Sequence, residues 1–229
     1  MAFNDGDFVT IDYSAWRVGD GRLIYTTMKK LAEDNGILDK EANYVPQLVI
    51  MGKESVIKGV EKVVKTMNVS DSKTVEFEPK EAFGEKNPDL VKVLPLSDFK
   101  KRDMMPYPGM QLDIDNMVAV VKSVNSGRVV IDANHPLAGE KLKYEIKVVA
   151  KLDKEEDKVK AIAEAYSLKP DSVSVTGNQM KITFGEKIEK NSKYLVNKSD
   201  LVNSILRYMD KIEKVVVEED YVKAKTEGK

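Results

Sequence analysis

The chain has 229 residues, 42% of them hydrophobic, and sets 37 basic side chains against 38 acidic ones. That balance argues against nucleic acid and anionic membrane as partners. The absence of cysteine excludes disulfides and thiolate chemistry, and a single histidine, His135, excludes a histidine-rich metal site. With no N-terminal apolar leader and no run of 18 apolar residues, the chain is expected to be a soluble protein of the cytoplasm.

Taken in order, Val9, Ile11 and Tyr13 alternate with polar residues, the period of a strand with one face buried. Gly19-Asp20-Gly21 marks a hairpin turn, and Arg22 to Tyr25 forms its second arm. Met28 to Asn43 reads as a charged surface helix interrupted at Asn35-Gly36. The stretch from Val45 to Met67 then organises the first half of the chain. A strand ends at Met51, Gly52 supplies the break, and Val56, Ile57, Val60, Val63, Val64 and Met67 recur at helical spacing. Ser55 is the expected N-cap of that helix. Thr74 to Glu78 adds a strand that Pro79 ends.

Composition changes after Phe83-Gly84. Between Glu85 and Ile131 lie four prolines and three strand-like runs, Val91 to Leu94, Met117 to Val121 and Val129 to Ile131, the last two joined by Asn125-Ser126-Gly127. Four of the ten methionines also fall between Met104 and Met117, and Met104, Met105, Tyr107 and Met110 sit in one proline-rich loop. Flexible thioethers on a surface suit many partners, while packing over a small local core is the competing reading. Lys141 to Val149 is a further alternating strand, with Leu142, Tyr144, Ile146 and Val148 on one face. Beyond Lys151 the order helix, strand, strand, helix, strand predicts an α+β domain, with a hairpin at Thr176 to Gln179.

Four of these stretches, FVTIDYSAW with its GDGR turn, GKESVIKGVE, EPKEAFGEKNP and ANHPLAGEKLKYEIKVV, together resemble FKBP-type peptidyl-prolyl isomerases. The insertion after AFG is similar to that of the SlyD-like and archaeal long-type branch. The resemblance implies an α+β fold in which an antiparallel sheet wraps a short helix. It places an isomerase domain at 1–85 and 133–152 with an inserted β-rich chaperone lobe at 86–132, beyond which the residue pattern adds a C-terminal α+β domain (153–229) ending in a disordered tail. It also implies isomerisation of X-Pro bonds in unfolded or partly folded proteins, with no cofactor and no metal. Homodimerisation through the C-terminal domain is a further expectation.

By that resemblance, Tyr13, Tyr25, Ile57, Phe83 and Tyr144 form the catalytic hollow, and Ile24, Val49, Val56, Val60 and Leu142 complete its walls. The Ile57 amide is the expected donor to a substrate carbonyl, and Met104, Met105, Tyr107 and Met110 are the expected client contacts of the lobe. For each apolar residue, ordinary core packing is the competing assignment. Three departures stand out: Tyr25 replaces the family's usual acidic residue, Phe83 its usual tyrosine, and Val60 its usual tryptophan. They predict weak turnover of short peptides, and they keep open a binding module of the same fold that has lost catalysis. His135, beside Pro136, reads as a structural residue, since rotation about an amide needs no proton transfer.

Overall fold

The computed structural model describes residues 3–114, 117–185 and 191–221. The tail expected to be disordered lies outside the described residues from 222 onward. The chain divides into two compact units, one of residues 1–16, 21–75 and 143–229 and one of residues 17–20 and 76–142.

The first unit opens with β1 (Phe8–Arg17) and β2 (Leu23–Thr26), followed by α1 (Lys29–Asp34), β3 (Gln47–Ile50), α2 (Lys58–Val64) and β4 (Ser72–Phe77). Helix α1 is much shorter than the charged pattern predicts. Gly36 adopts φ +68°, and the Asn35 side-chain amide donates to the Leu31 carbonyl at 2.9 Å, so the helix closes there. The start of α2 also differs from expectation. Ile57 is the N-cap residue and offers no side-chain cap, because the Ser55 hydroxyl instead accepts the Ile50 amide at 3.0 Å. Ser55 therefore closes the turn between strand and helix. Within that turn Gly52 has φ +76°, where an added Cβ would lie 2.9 Å from Asp5 Cγ, so a side chain is excluded twice over.

The second unit carries β5 (Val91–Pro95), α3 (Leu96–Lys100), β6 (Gln111–Ile114), β7 (Met117–Asn125) and β8 (Arg128–Asp132). Its four-stranded sheet runs β5-β8-β7-β6 with every pairing antiparallel. Ser126 and Gly127, at φ 48° and 77°, make the tight β7–β8 turn. Phe99, Leu112, Ala119, Val121, Val129 and Ile131 form its small core. Neither α3 nor β6 is apparent in the sequence pattern. Each spans five residues or fewer, too little for a period to show.

At the base of this sheet Asp132 is buried and accepts from both the backbone amide (2.9 Å) and the side-chain amide (2.8 Å) of Asn134. Asn134 in turn accepts the Asn87 amide at 2.8 Å and donates to its carbonyl at 3.0 Å. Burial opposes ionisation of Asp132, yet the Asn134 bonds and the nearby Lys122 hold its carboxyl below the usual range.

The chain returns to the first unit through β9 (Leu142–Leu152), then α4 (Glu155–Ala165), β10 (Ser172–Thr176), β11 (Gln179–Phe184), α5 (Ser192–Tyr208) and β12 (Lys214–Glu219). Strands β2, β1, β9 and β4 lie in that order in a five-stranded sheet, with β3 also paired to β1. A three-stranded sheet, β10-β11-β12, is antiparallel at its first pairing and parallel at its second. Phe8, Leu48 and Ile50 share one core with Val159 and Ile162 of α4, Met180, Ile182 and Phe184 of β11, and Leu201 and Ile205 of α5. Even-numbered residues of β1 thus point toward the C-terminal elements. By strand alternation Val9, Ile11 and Tyr13 occupy the opposite face. The architecture is α+β.

Replacing Asp132 with Ala removes the acceptor of two Asn134 donors and should destabilise the second unit by about 1–3 kcal/mol. Hydrogen exchange should then speed up in β5 and β8, a change that peptide-resolved mass spectrometry reads directly.

Candidate functional site

On the odd-numbered face of β1, Tyr13 is flanked by two other tyrosines. Its ring stacks on Tyr25 with centroids 5.1 Å apart and planes 24° from parallel, and on Tyr144 at 5.7 Å and 22°. Residues far apart in sequence supply these three rings, which the sheet sets in one row. Pairing of Ala15 with Tyr25 and of Ser14 with Thr26 fixes the register of β2 on β1. A set of hydroxyl bonds then holds that register. Ser14 Oγ and Thr26 Oγ1 lie 2.7 Å apart, while Thr27 Oγ1 donates to Asp12 at 2.9 Å and accepts the Tyr13 amide at 3.1 Å. The expected site did not include Thr26, Thr27 or Asp12. Their role is visible only once β1 and β2 are paired.

Tyr25 is 44% exposed, whereas Tyr144 is buried and Tyr13 partly so. The Tyr13 and Tyr25 hydroxyls are hydrogen-bond partners, and either can donate. Burial raises the Tyr13 hydroxyl well above its ordinary range, and the neighbouring tyrosine hydroxyls reinforce the shift. Burial alone pushes Tyr144 up to about 12. Tyr25 is also raised, mainly by burial and against its hydrogen bond with Tyr13. The platform is therefore uncharged at neutral pH. It can offer aromatic faces and a hydroxyl, and it can neither attack nor abstract a proton.

The other expected residues fall into distinct groups. Ile24, Val56 and Ile57 are partly exposed. Ile57 stands at the start of α2 with φ −58° and ψ 146°, and among the described residues its amide has no hydrogen-bond acceptor. That leaves the donor available. Val60 is buried on α2 beside Gly59 and Val64 in sequence. Val49 and Leu142, each 0% exposed, have no surface to give a ligand, so these two expected wall residues belong to the core.

Phe83 lies in the second unit, where the His135 ring stacks flat on it with centroids 4.3 Å apart and planes 2° from parallel. His135 Nδ1 accepts the Leu137 amide at 3.1 Å, which sets the ring's orientation. The sequence offered no sign that His135 backs Phe83, since 52 positions separate them. Also within the second unit, Met104 and Met110 help line a groove of about 430 Å³ with Leu94, Phe99, Leu112 and Ile114. Met105 and Tyr107 are 74% and 62% exposed. The methionine loop thus combines both readings: two of its apolar side chains pack on the local core and two stand in solvent.

Among the described residues no group of three or more His, Asp or Glu side chains could hold a metal ion. Among them also, no helix is long and apolar enough to cross a membrane.

The first unit thus presents an antiparallel sheet with an uncharged aromatic row and a helix-start amide that has no acceptor among the described residues. A family model for the FKBP-type peptidyl-prolyl cis-trans isomerase matches residues 1–100, and one for the FKBP26 IF domain matches residues 92–137. The short-type peptidyl-prolyl cis-trans isomerase of Methanocaldococcus jannaschii is 34% identical over 143 residues, covering 62% of this chain and 90% of that protein. A probable FKBP-type 16 kDa peptidyl-prolyl cis-trans isomerase of Pseudomonas fluorescens is 25% identical over 138 residues, 58% of this chain and 91% of its own. SlyD of Vibrio cholerae is 30% identical over 131 residues, 56% and 65% respectively. The chain belongs to the FKBP-type peptidyl-prolyl cis-trans isomerase family, and it is an enzyme of that class.

No proton transfer is involved, and all three platform tyrosines ionise above their ordinary range. Turnover of an uncharged proline peptide should therefore be flat from neutral pH to beyond pH 9. Raised tyrosine pKa values also set the sign for stability. Their contribution is complete below about pH 10 and is lost as pH climbs toward 12, the value for Tyr144. A pH series of kcat/KM and of thermal unfolding checks both.

Proposed function

We propose that prolyl isomerisation takes place against the Tyr13–Tyr25–Tyr144 platform, with the Ile57 amide as donor to a substrate carbonyl. The row of stacked rings carries this reading. Rotation about an X-Pro bond faces a barrier of ~18–20 kcal/mol, because the planar amide is stabilised by a charge-separated resonance form. An apolar aromatic surface solvates that form less well than water does, so the twisted amide gains relative to the planar one. A thousandfold acceleration requires only about 4 kcal/mol of this discrimination. Ile24 and Val56 supply apolar surface from the same unit, while Val60 is buried on α2. Phe83 joins the proposal on its place in the AFG motif.

The proposed clients are unfolded or proline-containing polypeptides in the cytoplasm. We assign their capture to the inserted lobe, through the exposed Met105 and Tyr107 and the groove that Met104 and Met110 line. A client held on the lobe is tethered by the same chain that carries the platform. Its prolines reach an effective concentration that offsets a modest catalytic site. A homodimer formed through the C-terminal elements would double the valency of such a holder.

One observation favours a second reading, in which the protein binds without catalysing. Tyr25 stands where the family has an acidic residue, and it rests directly on Tyr13. The two readings separate in Tyr25→Asp, assayed on a short proline peptide and in a proline-limited refolding reaction. If the wild type catalyses both and Asp changes its rate by less than about tenfold, the platform is catalytic as it stands. A wild type indistinguishable from buffer, rescued by Asp, would establish the binding module. Independently, replacing residues 88–130 with a short loop should abolish suppression of aggregation while sparing peptide turnover. Aggregation suppression that survives the deletion would move client capture elsewhere in the chain.

A further inference from the structure

His135 is exposed, yet its backbone and its ring are both fixed. Its carbonyl accepts the Ala138 amide at 2.9 Å, which closes a turn over 135–138 with Pro136 in the second position, where the pyrrolidine ring presets φ. Its Nδ1 accepts the Leu137 amide at 3.1 Å, so turning the imidazole costs a hydrogen bond. An exposed side chain anchored in this way acts as a rigid wall. Phe83 rests on that wall, with ring centroids 4.3 Å apart and planes 2° from parallel.

The main chain of Phe83 is fixed as well. The Gly84 amide donates to the Pro79 carbonyl at 2.7 Å, and the Gly84 carbonyl accepts the Gly139 amide at 2.8 Å. The ring itself is only half-buried, so its remaining freedom is rotation among staggered wells, and the imidazole lies flat against it in one of them.

We propose that His135 is a positioning residue for prolyl isomerisation, holding the Phe83 ring in the orientation in which it serves as a wall for substrate. The role needs no proton transfer. It rests on the assignment of Phe83 to the site made above, and the experiment separates the two. Without the stack, Phe83 spreads over as many as three wells and the competent fraction falls toward about a third. Substrate must then select that fraction, and apparent affinity drops by the same factor while kcat is kept.

Two substitutions divide the features of the imidazole. His135→Asn keeps an oxygen that can accept the Leu137 amide, as asparagine does in turns, and removes the ring. His135→Phe keeps a ring and removes the acceptor. In full-length protein, kcat and KM are read on a proline peptide, Kd from the fluorescence anisotropy of its labelled form, and the fold from thermal unfolding. His135→Asn should melt close to wild type and raise KM and Kd by about two- to threefold at unchanged kcat. His135→Phe should melt lower yet bind more nearly as wild type does. A histidine that only supports the fold gives the opposite order, with binding following the melting temperature. That order, or equal binding by wild type and both variants, overturns the proposal. Phe83→Leu tests the underlying assignment. If it binds and turns over peptide as wild type does, Phe83 lies outside the site and the proposal falls with it. If it weakens binding while His135→Asn does not, the site assignment stands and the positioning role alone fails.

Discussion

The first unit depends on β1 burying both of its faces. Phe8 points into the core shared with α4, β11 and α5, while Val9 and Ile11, wholly buried on the other side, continue into Tyr13. Fully burying a side chain of this size is worth about 1.5–3 kcal/mol, so a shift of register by one residue would forfeit several such terms at once. Strand position is therefore strongly determined, and with it the place of Tyr13 between Tyr25 and Tyr144. The precision of the site is a consequence of core packing two or more residues away. The Thr26 and Thr27 hydroxyl bonds add to this by tying the exit of β2 to β1.

The chemistry proposed for this platform is modest and is compatible with its departures from the family pattern. A reaction that forms and breaks no covalent bond needs no nucleophile, and a neutral tyrosine in place of a carboxylate removes a charge that would itself have to be desolvated. The Tyr25 hydroxyl pairs with that of Tyr13 and so satisfies a polar group that burial would otherwise leave costly. Its remaining exposure leaves the aromatic row open to solvent on one side.

The inserted unit has a different physical basis. Its core of six buried residues is small, and the β7–β8 turn places Ser126 and Gly127 in left-handed backbone. A core of that size supports only a small sheet, so part of the apolar content of the methionine loop is left in solvent. The Asp132–Asn134–Asn87 bonds close the base of its sheet by tying the segment after β8 to the segment before β5. Exposed thioether and ring above a closed base make a surface that is apolar without being part of the fold's own packing.

Where the pattern in the chain was long and regular, it was legible without coordinates. The alternation in Val9 to Tyr13 and in Leu142 to Val148, the glycine corner at Gly52 and the hairpin glycines at Gly127 and Gly177 determined the strands, their turns and the α+β class. Short segments escaped because three to five residues carry no period, as with α3 and β6. In the 28–43 stretch the expected interruption at Asn35-Gly36 coincides with the end of α1, where Gly36 takes left-handed backbone, and the charged residues beyond it form no helix. Contacts between distant segments could not be read either. That His135 backs Phe83 and that Val49 and Leu142 are wholly buried are facts of packing. They follow from which surfaces exclude water together, and a local pattern of side chains does not contain that information.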